Sequence, residues 1–174
     1  NGMLISRNHG NWLFLSVILT KAELEPDAPL RSGAGEPGGA GTYCGSCRRC
    51  SESCPTGAIV APGVVDARRC LSYQTIENRG AIPRELRARL GSRLYGCDTC
   101  LEVCPWNRFA QVARRTLLEA RSDLGEIPLV EVLDLTPERF ASVFKGTAVK
   151  RLKLAGLLPE ARYAVFHCAD VLEG

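Results

Sequence analysis

The chain has 174 residues, of which 45% are hydrophobic, and it carries a net charge of +3. This length suits one domain or a domain with an appendage. The charge is too small to indicate nucleic-acid binding by itself.

An apolar segment, residues 1–24, opens the chain, and we predict that it forms the end of a domain. Residues 12–20 read WLFLSVILT, which is too short for a membrane-spanning helix and is not followed by a small-residue cleavage site. We predict two buried strands here, joined by a turn at 8–11. Residues 25–41 are rich in glycine and proline and predict a flexible linker.

Eight of the nine cysteines fall within the next predicted domain, residues 42–110: Cys44, Cys47, Cys50, Cys54, Cys70, Cys97, Cys100 and Cys104. The first four have the spacing C-x2-C-x2-C-x3-C-P of bacterial ferredoxins, in which the fourth cysteine ligates the other of two 4Fe–4S clusters. The proline that follows each run fixes φ and suits the first turn of a helix.

The ferredoxin rule divides these cysteines into two sets of four. We predict that one cluster is held by Cys44, Cys47, Cys50 and Cys104. The other cluster would then be held by Cys54, Cys70, Cys97 and Cys100. Each run lends its last cysteine to the other cluster, so neither cluster is complete without both runs.

Three other uses of the cysteines fit the pattern less well. Disulfides are disfavoured by the repeated C-x2-C spacing and the non-secretory character of the chain, which together indicate a reducing compartment, the cytoplasm. Two zinc ions would also use eight thiolates, but zinc ribbons have two C-x2-C pairs and no run of three cysteines with a fourth before proline. Catalytic thiols would need a base, and His9 and His167 are distant in sequence.

Short elements are predicted between the two cysteine runs. Residues 59–66 predict a small hairpin, and residues 66–79, which include Cys70, have helical character. An apolar stripe at i, i+4 and i+8 predicts a helix over 82–94, formed by Leu86, Leu90 and Leu94. Its other face carries four arginines, a pattern typical of a solvated face: Arg84, Arg87, Arg89 and Arg93.

Helical signals dominate the last predicted domain, residues 111–174. Thr136 is predicted to be an N-cap with Pro137 at the first helical position, and further helices are predicted over 149–158 and 162–172. Short helix pairs indicate an α-solenoid, so we predict a HEAT-like repeat segment. The predicted fold class is therefore α+β, a two-cluster ferredoxin-like module followed by short helical repeats.

Two stretches of the sequence resemble epoxyqueuosine reductases: CPTGAIVAPGVVDARRCLSYQTIE at 54–77 and RLYGCDTCLEVCPWNRFA at 93–110. Residues 1–20 resemble the segment that precedes the clusters in that family, which implies that residues 1–24 form the end of a cobalamin-binding domain. The motifs DARRC at 66–70 and YGCD at 95–98 make the resemblance specific, because ferredoxins in general need only the cysteines.

The resemblance implies a cytoplasmic enzyme of queuosine biosynthesis that reduces epoxyqueuosine at the wobble position of tRNA. It implies two 4Fe–4S clusters beside a cobalamin, with the anticodon stem-loop of tRNA and an external donor such as flavodoxin or ferredoxin as partners. Five positions match places where family members approach cobalamin: Ser72, Cys97, Asp98, Leu4 and Leu15. We also expect a monomer that does not contact membranes.

The chain departs from the family pattern, and these departures limit which functional residues of the family can be assigned to it. The family has an N-terminal cobalamin-binding region, with a catalytic acidic residue, before the segment that starts at Asn1. That acid has no counterpart here, so we assign no catalytic residue, and we expect this chain to be inactive alone. The helical repeats look shortened, and residues 33–41 resemble an inserted loop. We therefore expect the electron-delivering part of the enzyme.

Three functions of other classes stay open at this point. A stand-alone two-cluster electron carrier fits the cysteines but does not account for DARRC, YGCD or the helical tail. A cobalamin-dependent reductive dehalogenase uses the same cofactors, but the text CPWNRF at 104–109 favours the tRNA enzyme. A zinc-stabilised RNA-binding module would be colourless.

Overall fold

The computed structural model describes residues 1–27, 43–111, 121–125 and 127–172. In chain order its elements are α1 (Arg49–Glu52), β1 (Ile59–Ala61), β2 (Val64–Val65), a 3-10 helix (Ala67–Arg69), α2 (Leu71–Ile76), α3 (Arg84–Leu90), α4 (Thr99–Glu102), a 3-10 helix (Pro105–Phe109), α5 (Ser122–Gly125), α6 (Leu129–Leu133), α7 (Pro137–Val143), a 3-10 helix (Ala148–Leu152) and α8 (Lys153–Leu172). The predicted linker, 25–41, lies mostly outside the described residues.

The chain divides into two compact units. The first contains Asn1–Val65 and Thr99–Val112, and the second contains Asp66–Asp98 and Ala113–Gly174. The predicted ferredoxin-like domain, 42–110, is thus shared between the two units. The mixture of many short helices with one small sheet agrees with the predicted α+β class.

The predicted hairpin within the first unit is confirmed. Strands β1 and β2 pair antiparallel, with Ile59 opposite Val65 and Ala61 opposite Val64. An irregularity between Ile59 and Ala61 interrupts the register. The hairpin follows the first cysteine run directly and packs against α1.

The structure corrects the prediction of buried strands in the N-terminal segment. Ser6 and Gly10 form an isolated antiparallel bridge with N···O distances of 2.8 and 3.1 Å. Residues 12–20 form no strand, and Phe14 and Leu19 are 88% and 93% exposed. A strand needs an adjacent strand to pair its backbone groups, and none of the described residues supplies one for this segment.

Two hydrophobic clusters organise the second unit. One brings together buried side chains of α6, α7, α8 and the 3-10 helix before α8: Val132, Phe140, Phe144, Leu152, Leu157 and Ala161. The other consists of Leu71, Ile82, Leu86 and Leu90, with Tyr163 of α8 packed against it. Because this second hydrophobic cluster joins α2 and α3 to α8, residues 66–98 belong to the same unit as the C-terminal helices.

The predicted start of α7 is confirmed. The hydroxyl of Thr136 accepts a hydrogen bond from the backbone N–H of Arg139 at 3.2 Å, and Pro137 lies in the first turn. Such a cap stabilises a helix by about 1 kcal/mol. The segment is helical as predicted, while its assignment to HEAT-like repeats stays a prediction.

The last predicted helix pair is instead one continuous helix, α8, although Pro159 lies inside it. Leu157, Ala161 and Ala164 recur at i, i+4 and i+7 and are at most 1% exposed. Burial of this stripe offsets the backbone hydrogen bond that proline removes. Within the described ranges, no helix is both long enough and apolar enough to cross a membrane.

The predicted helix 82–94 is shorter in the structure, where α3 ends at Leu90, and the four arginines predicted on its polar face have different roles. The Nε of Arg87 donates to the carbonyl of Ile82 at 2.9 Å, and its guanidinium lies 4.5 Å from the ring centroid of Tyr163. Arg93 donates to the last carbonyl of α3 at 3.1 Å. These two stabilise the unit, whereas the other two are exposed to solvent: Arg84 and Arg89.

Glu160 of α8 is a buried carboxylate that makes stability depend on pH. It is 6% exposed, and its Oε2 has no hydrogen-bond partner among the described residues. Burial raises the pKa of this carboxyl. The folded chain therefore holds the proton more tightly than the unfolded chain. Stability is greatest below the unfolded pKa and falls as the pH rises through the folded pKa.

We predict that Glu160→Gln removes most of this pH dependence. It should raise the free energy of unfolding by about 1 kcal/mol at neutral pH, since no charge is then buried. Urea unfolding over a series of pH values that begins below the ordinary glutamate pKa measures this. Glu131→Gln, at an exposed position of α6, is the control. A Glu160→Gln chain with the wild-type pH dependence would contradict the prediction.

Candidate metal centre

The first cysteine run is shaped by a tight turn that leads into a short helix. The backbone N–H of Cys47 donates to the carbonyl of Cys44 at 3.0 Å, and Cys50 lies in α1. Helix α1 packs against α4, and the turn after α4 contains Cys104, whose N–H donates to the carbonyl of Leu101 at 3.1 Å. Packing of the two helices therefore brings the first part of the first cysteine run close to Cys104.

One pocket of about 270 Å³ is lined by four cysteines: Cys44, Cys47, Cys50 and Cys104. A water molecule in the liquid occupies about 30 Å³, so the pocket has room for a group of several atoms. Within the described ranges, no three His, Cys, Asp or Glu side chains are gathered closely enough to hold a single metal ion. Four thiols around such a volume fit a 4Fe–4S cluster, which takes one thiolate for each iron.

The thiols of this pocket affect one another electrostatically. Burial raises the pKa of the Cys44 thiol, and the neighbouring thiols of Cys50, Cys104 and Cys47 raise it further. Thiols must lose their protons to bind iron, so cluster assembly here releases protons. The positive iron ions of an iron–sulfur core would offset the repulsion among these thiolates.

Cys54 has a different environment, rich in hydrogen-bond donors. Burial raises the pKa of its thiol, but hydrogen bonds from the backbone of Thr56, Ala58 and Ile59 outweigh burial and lower the pKa overall. The N–H of Ala58 lies 3.2 Å from the Sγ. Hydrogen bonds of this kind to ligand sulfur help to set the reduction potential of a cluster.

The other members of the second predicted set lie in different local structures. Cys70 lies between the 3-10 helix Ala67–Arg69 and α2. Asp66 starts that 3-10 helix, because its Oδ1 accepts from the backbone N–H of Arg68 at 3.1 Å. Cys97 packs against the cluster of apolar residues in the second unit, and Cys100 lies in α4. All are half-buried, and their grouping stays a prediction.

The positions predicted to approach cobalamin lie in both units. Ser72 is in the first turn of α2, and Cys97 and Asp98 follow Gly96, whose N–H donates to the Oγ1 of fully buried Thr75 at 2.9 Å. Asp98 is exposed. The two apolar positions lie in the first unit, where Leu4 is 53% exposed and Leu15 is 72% exposed.

Several residues that shape the pocket were not assigned to it from the sequence. The Nε1 of Trp106 donates to the carbonyl of Tyr43 at 3.3 Å, and the two rings meet edge to face at 6.0 Å. Gly10 has φ of +70°, and a Cβ there would lie 2.9 Å from the carbonyl oxygen of Trp106. The only sequence signal for these contacts was Trp106 within the text CPWNRF.

Asparagines connect the N-terminal segment and the 3-10 helix Pro105–Phe109 to α4. The Nδ2 of Asn1 donates to the carbonyl of Cys100 at 3.0 Å. The backbone nitrogen of Asn1 lies 3.5 Å from the Sγ of Cys50. The Nδ2 of Asn107 donates to the carbonyl of Leu101 at 2.6 Å. These bonds satisfy backbone acceptors and fix the N-terminal segment at the edge of the pocket.

Comparison with known proteins defines the class of this centre. Residues 43–107 match the family model described as a 4Fe-4S double cluster binding domain. This range contains all eight cysteines that the sequence assigns to clusters.

Relatives extend the match beyond the cluster domain. The chain is 47% identical over 150 residues to an epoxyqueuosine reductase of Burkholderia pseudomallei, covering 86% of this chain and 36% of the relative. It is 41% identical over 152 residues to that of Escherichia coli, covering 87% and 38%. The chain thus spans less than half the length of these curated relatives.

Solved structures agree with the sequence relatives. The epoxyqueuosine reductase of Bacillus subtilis is 30% identical with a TM-score of 0.84, over 98% of this chain and 43% of that one. An epoxyqueuosine reductase crystallised with an epoxyqueuosine-modified tRNA stem loop gives the same identity and TM-score, over 98% and 42%. The chain is therefore homologous to epoxyqueuosine reductases over most of its own length, as the sequence resemblance predicted.

We predict that paired cysteine substitutions reveal which thiols share a cluster. With two complete clusters, the reconstituted chain should bind about eight irons, and Cys104→Ser should bind about four. Adding Cys44→Ser to Cys104→Ser should remove no further iron, since both serve one cluster. Adding Cys97→Ser should leave almost none, because the second cluster then also loses a ligand. Iron analysis after anaerobic gel filtration measures this.

The control for these substitutions is Cys168→Ser, which changes a cysteine outside both sets and should leave iron content unchanged. The exchange of ligands between the two runs is wrong if Cys104→Ser with Cys97→Ser retains about four irons.

Proposed function

We propose that this chain is the cluster-bearing, electron-delivering part of an enzyme that reduces epoxyqueuosine in tRNA to queuosine. The observation that carries the proposal is the pocket lined by thiols of both cysteine runs in a chain homologous to epoxyqueuosine reductases. Removal of the epoxide oxygen as water consumes two electrons and two protons. Clusters transfer electrons one at a time, which is the chemistry they would supply here.

The chain's own residues would hold and tune these clusters. The first set of thiols lines its pocket together with Trp106 and Tyr43, whose rings contact each other. Hydrogen bonds from backbone N–H groups to Cys54 would stabilise the more negative, reduced form of the second cluster. The division of ligands between two distant runs makes assembly of each cluster depend on folding of the whole module.

Cobalamin binding is part of the proposal and is supported by the family resemblance. Exposed apolar side chains at Leu4 and Leu15 suit contact with an apolar group, and Asp98 is an exposed acceptor. Ser72 and Cys97 are only half-buried, so both remain accessible at the edge of α2 and its neighbouring loop. No residue of this chain is assigned the role of catalytic acid.

The proposal predicts that the reconstituted 174-residue chain does not convert epoxyqueuosine in tRNA by itself. The chain spans 36% and 38% of the two relatives described above, and none of its residues is assigned as the acid. Mass spectrometry of nucleosides after incubation with tRNA, reductant and cobalamin measures conversion, with the complete Escherichia coli relative as the positive control. Conversion by this chain at the rate of that relative would contradict the proposal that it supplies only the electron-delivering part.

A basic surface in the second unit supports tRNA as the substrate. Four exposed cations lie close together in the sequence around the start of α8: Lys145, Lys150, Arg151 and Lys153. Arg151 is also paired with Glu77 at 2.7 Å. Lys153 has φ of +57°, and such strained residues persist where the surrounding structure holds them and cluster at functional sites.

We predict that Lys150→Gln with Lys153→Gln weakens binding of an epoxyqueuosine-modified tRNA stem loop. The plot of log affinity against log salt should become shallower by about 1.4 to 1.8, since each lost phosphate contact contributes about 0.7 to 0.9. Fluorescence anisotropy at several salt concentrations measures both quantities. Lys21→Gln, at an exposed lysine of the first unit, is the control. An unchanged salt slope would remove these lysines from the RNA interface.

A further inference from the structure

Four exposed arginines belong to the same unit as the thiol pocket: Arg7, Arg48, Arg49 and Arg108. We call this set the arginine rim. Arg49 and Arg108 line the pocket directly. Arg7 donates to the hydroxyl of Tyr43, itself a lining residue, at 3.2 Å and lies 5.1 Å from its ring centroid.

The charge of the arginine rim is not neutralised locally. In the part of the chain that the structure describes, no carboxylate forms an ion pair with any of the four. The pocket lining contains no aspartate or glutamate. Glu52 and Glu102, at the ends of α1 and α4, are exposed but do not line the pocket. The rim therefore presents positive charge to solvent around the thiols.

One thiol of the pocket also faces solvent. Cys47 is exposed, whereas Cys44, Cys50 and Cys104 are half-buried. A group held by these four thiols would have one edge close to the surface, beside Arg48. Electron transfer weakens steeply with distance, so an accessible edge is where a second protein can exchange electrons with the group.

We propose that the arginine rim is the docking surface of an acidic protein that donates single electrons, and that electrons enter this chain at the cluster bound by Cys44, Cys47, Cys50 and Cys104. This inference rests on the proposed function. One electron leaves the reduced centre of the donor, which is oxidised, and reduces the cluster. No bond forms or breaks, and no proton or leaving group is transferred.

The position of the arginines favours a protein donor over RNA. Phosphate contacts require only accessible cations, which the second unit provides at Lys150 and Lys153. The arginine rim instead lies beside an exposed cysteine, where a bound donor would be separated from the cluster by only a short distance for electron transfer. Complementary charge at such a rim increases the association rate and makes it sensitive to salt.

The test uses the reconstituted chain, reduced flavodoxin as the acidic donor and reduced methyl viologen as a small cationic donor. Stopped-flow loss of iron–sulfur absorbance gives the bimolecular rate at several ionic strengths. We expect Arg7→Glu with Arg48→Glu to slow reduction by flavodoxin about tenfold at low salt and to flatten its salt dependence. Reduction by methyl viologen should not slow. Iron content reports whether the cluster is retained.

Arg84→Glu, a charge reversal at an exposed position of α3, is the matched control and should leave the flavodoxin rate unchanged. Arg48→Glu alone, which changes no lining residue, should show a smaller loss in the same direction if the double variant loses iron. Equal slowing with both donors would mean that the arginines tune the cluster, and would overturn the docking surface.

Other outcomes separate the remaining possibilities. If rim variants lose binding of the tRNA stem loop but keep the flavodoxin rate, the rim is an RNA surface and the proposal is wrong. If Arg84→Glu slows flavodoxin equally, overall charge is responsible and the proposal is again wrong. A wild-type chain that takes up no iron would instead remove the proposed function itself, a result that the iron assay identifies before any rate is measured.

Discussion

Contact between α1 and α4 is the interaction on which the candidate centre depends. Each helix has only four residues, too few to be stable alone. Their packing brings the first cysteine run beside Cys104 and so forms the thiol-lined pocket. A cluster bound there would crosslink the two runs, adding metal–ligand bonds where the hydrophobic core of this unit is small.

The second unit is held together by ordinary hydrophobic packing. Its two apolar clusters join helices that are distant in sequence, and α8 contributes to both. The loop before Cys97 is anchored by Thr75, which is fully buried and accepts the hydrogen bond from Gly96. The position of one predicted ligand, Cys97, thus depends on hydrophobic packing, whereas the first thiol pocket depends on the contact between two four-residue helices.

Local chemistry explains which features could be predicted from the sequence. The spacing of the cysteines dictates tight turns, and in one of them the backbone N–H of Cys47 donates to the carbonyl of Cys44. The hairpin at 59–66 and the cap at Thr136 also depend on neighbouring residues only.

Features that depend on distant contacts were not predicted. The segment 12–20 has the composition of a strand but no adjacent strand among the described residues, so it is exposed. The continuity of α8 through Pro159 follows from burial of one face against other helices. Grouping of 66–98 with the helical tail, and the contact of Gly10 with Trp106, likewise require long-range packing.

The most direct test of the central claim is to reconstitute the wild-type chain anaerobically with iron and sulfide, count the metal and record EPR spectra after reduction. The account predicts a brown protein with about eight irons and signals of two reduced 4Fe–4S clusters. A colourless protein that binds two zinc ions in preference to iron would contradict it, because the eight thiolates would then serve structural sites that carry no electrons.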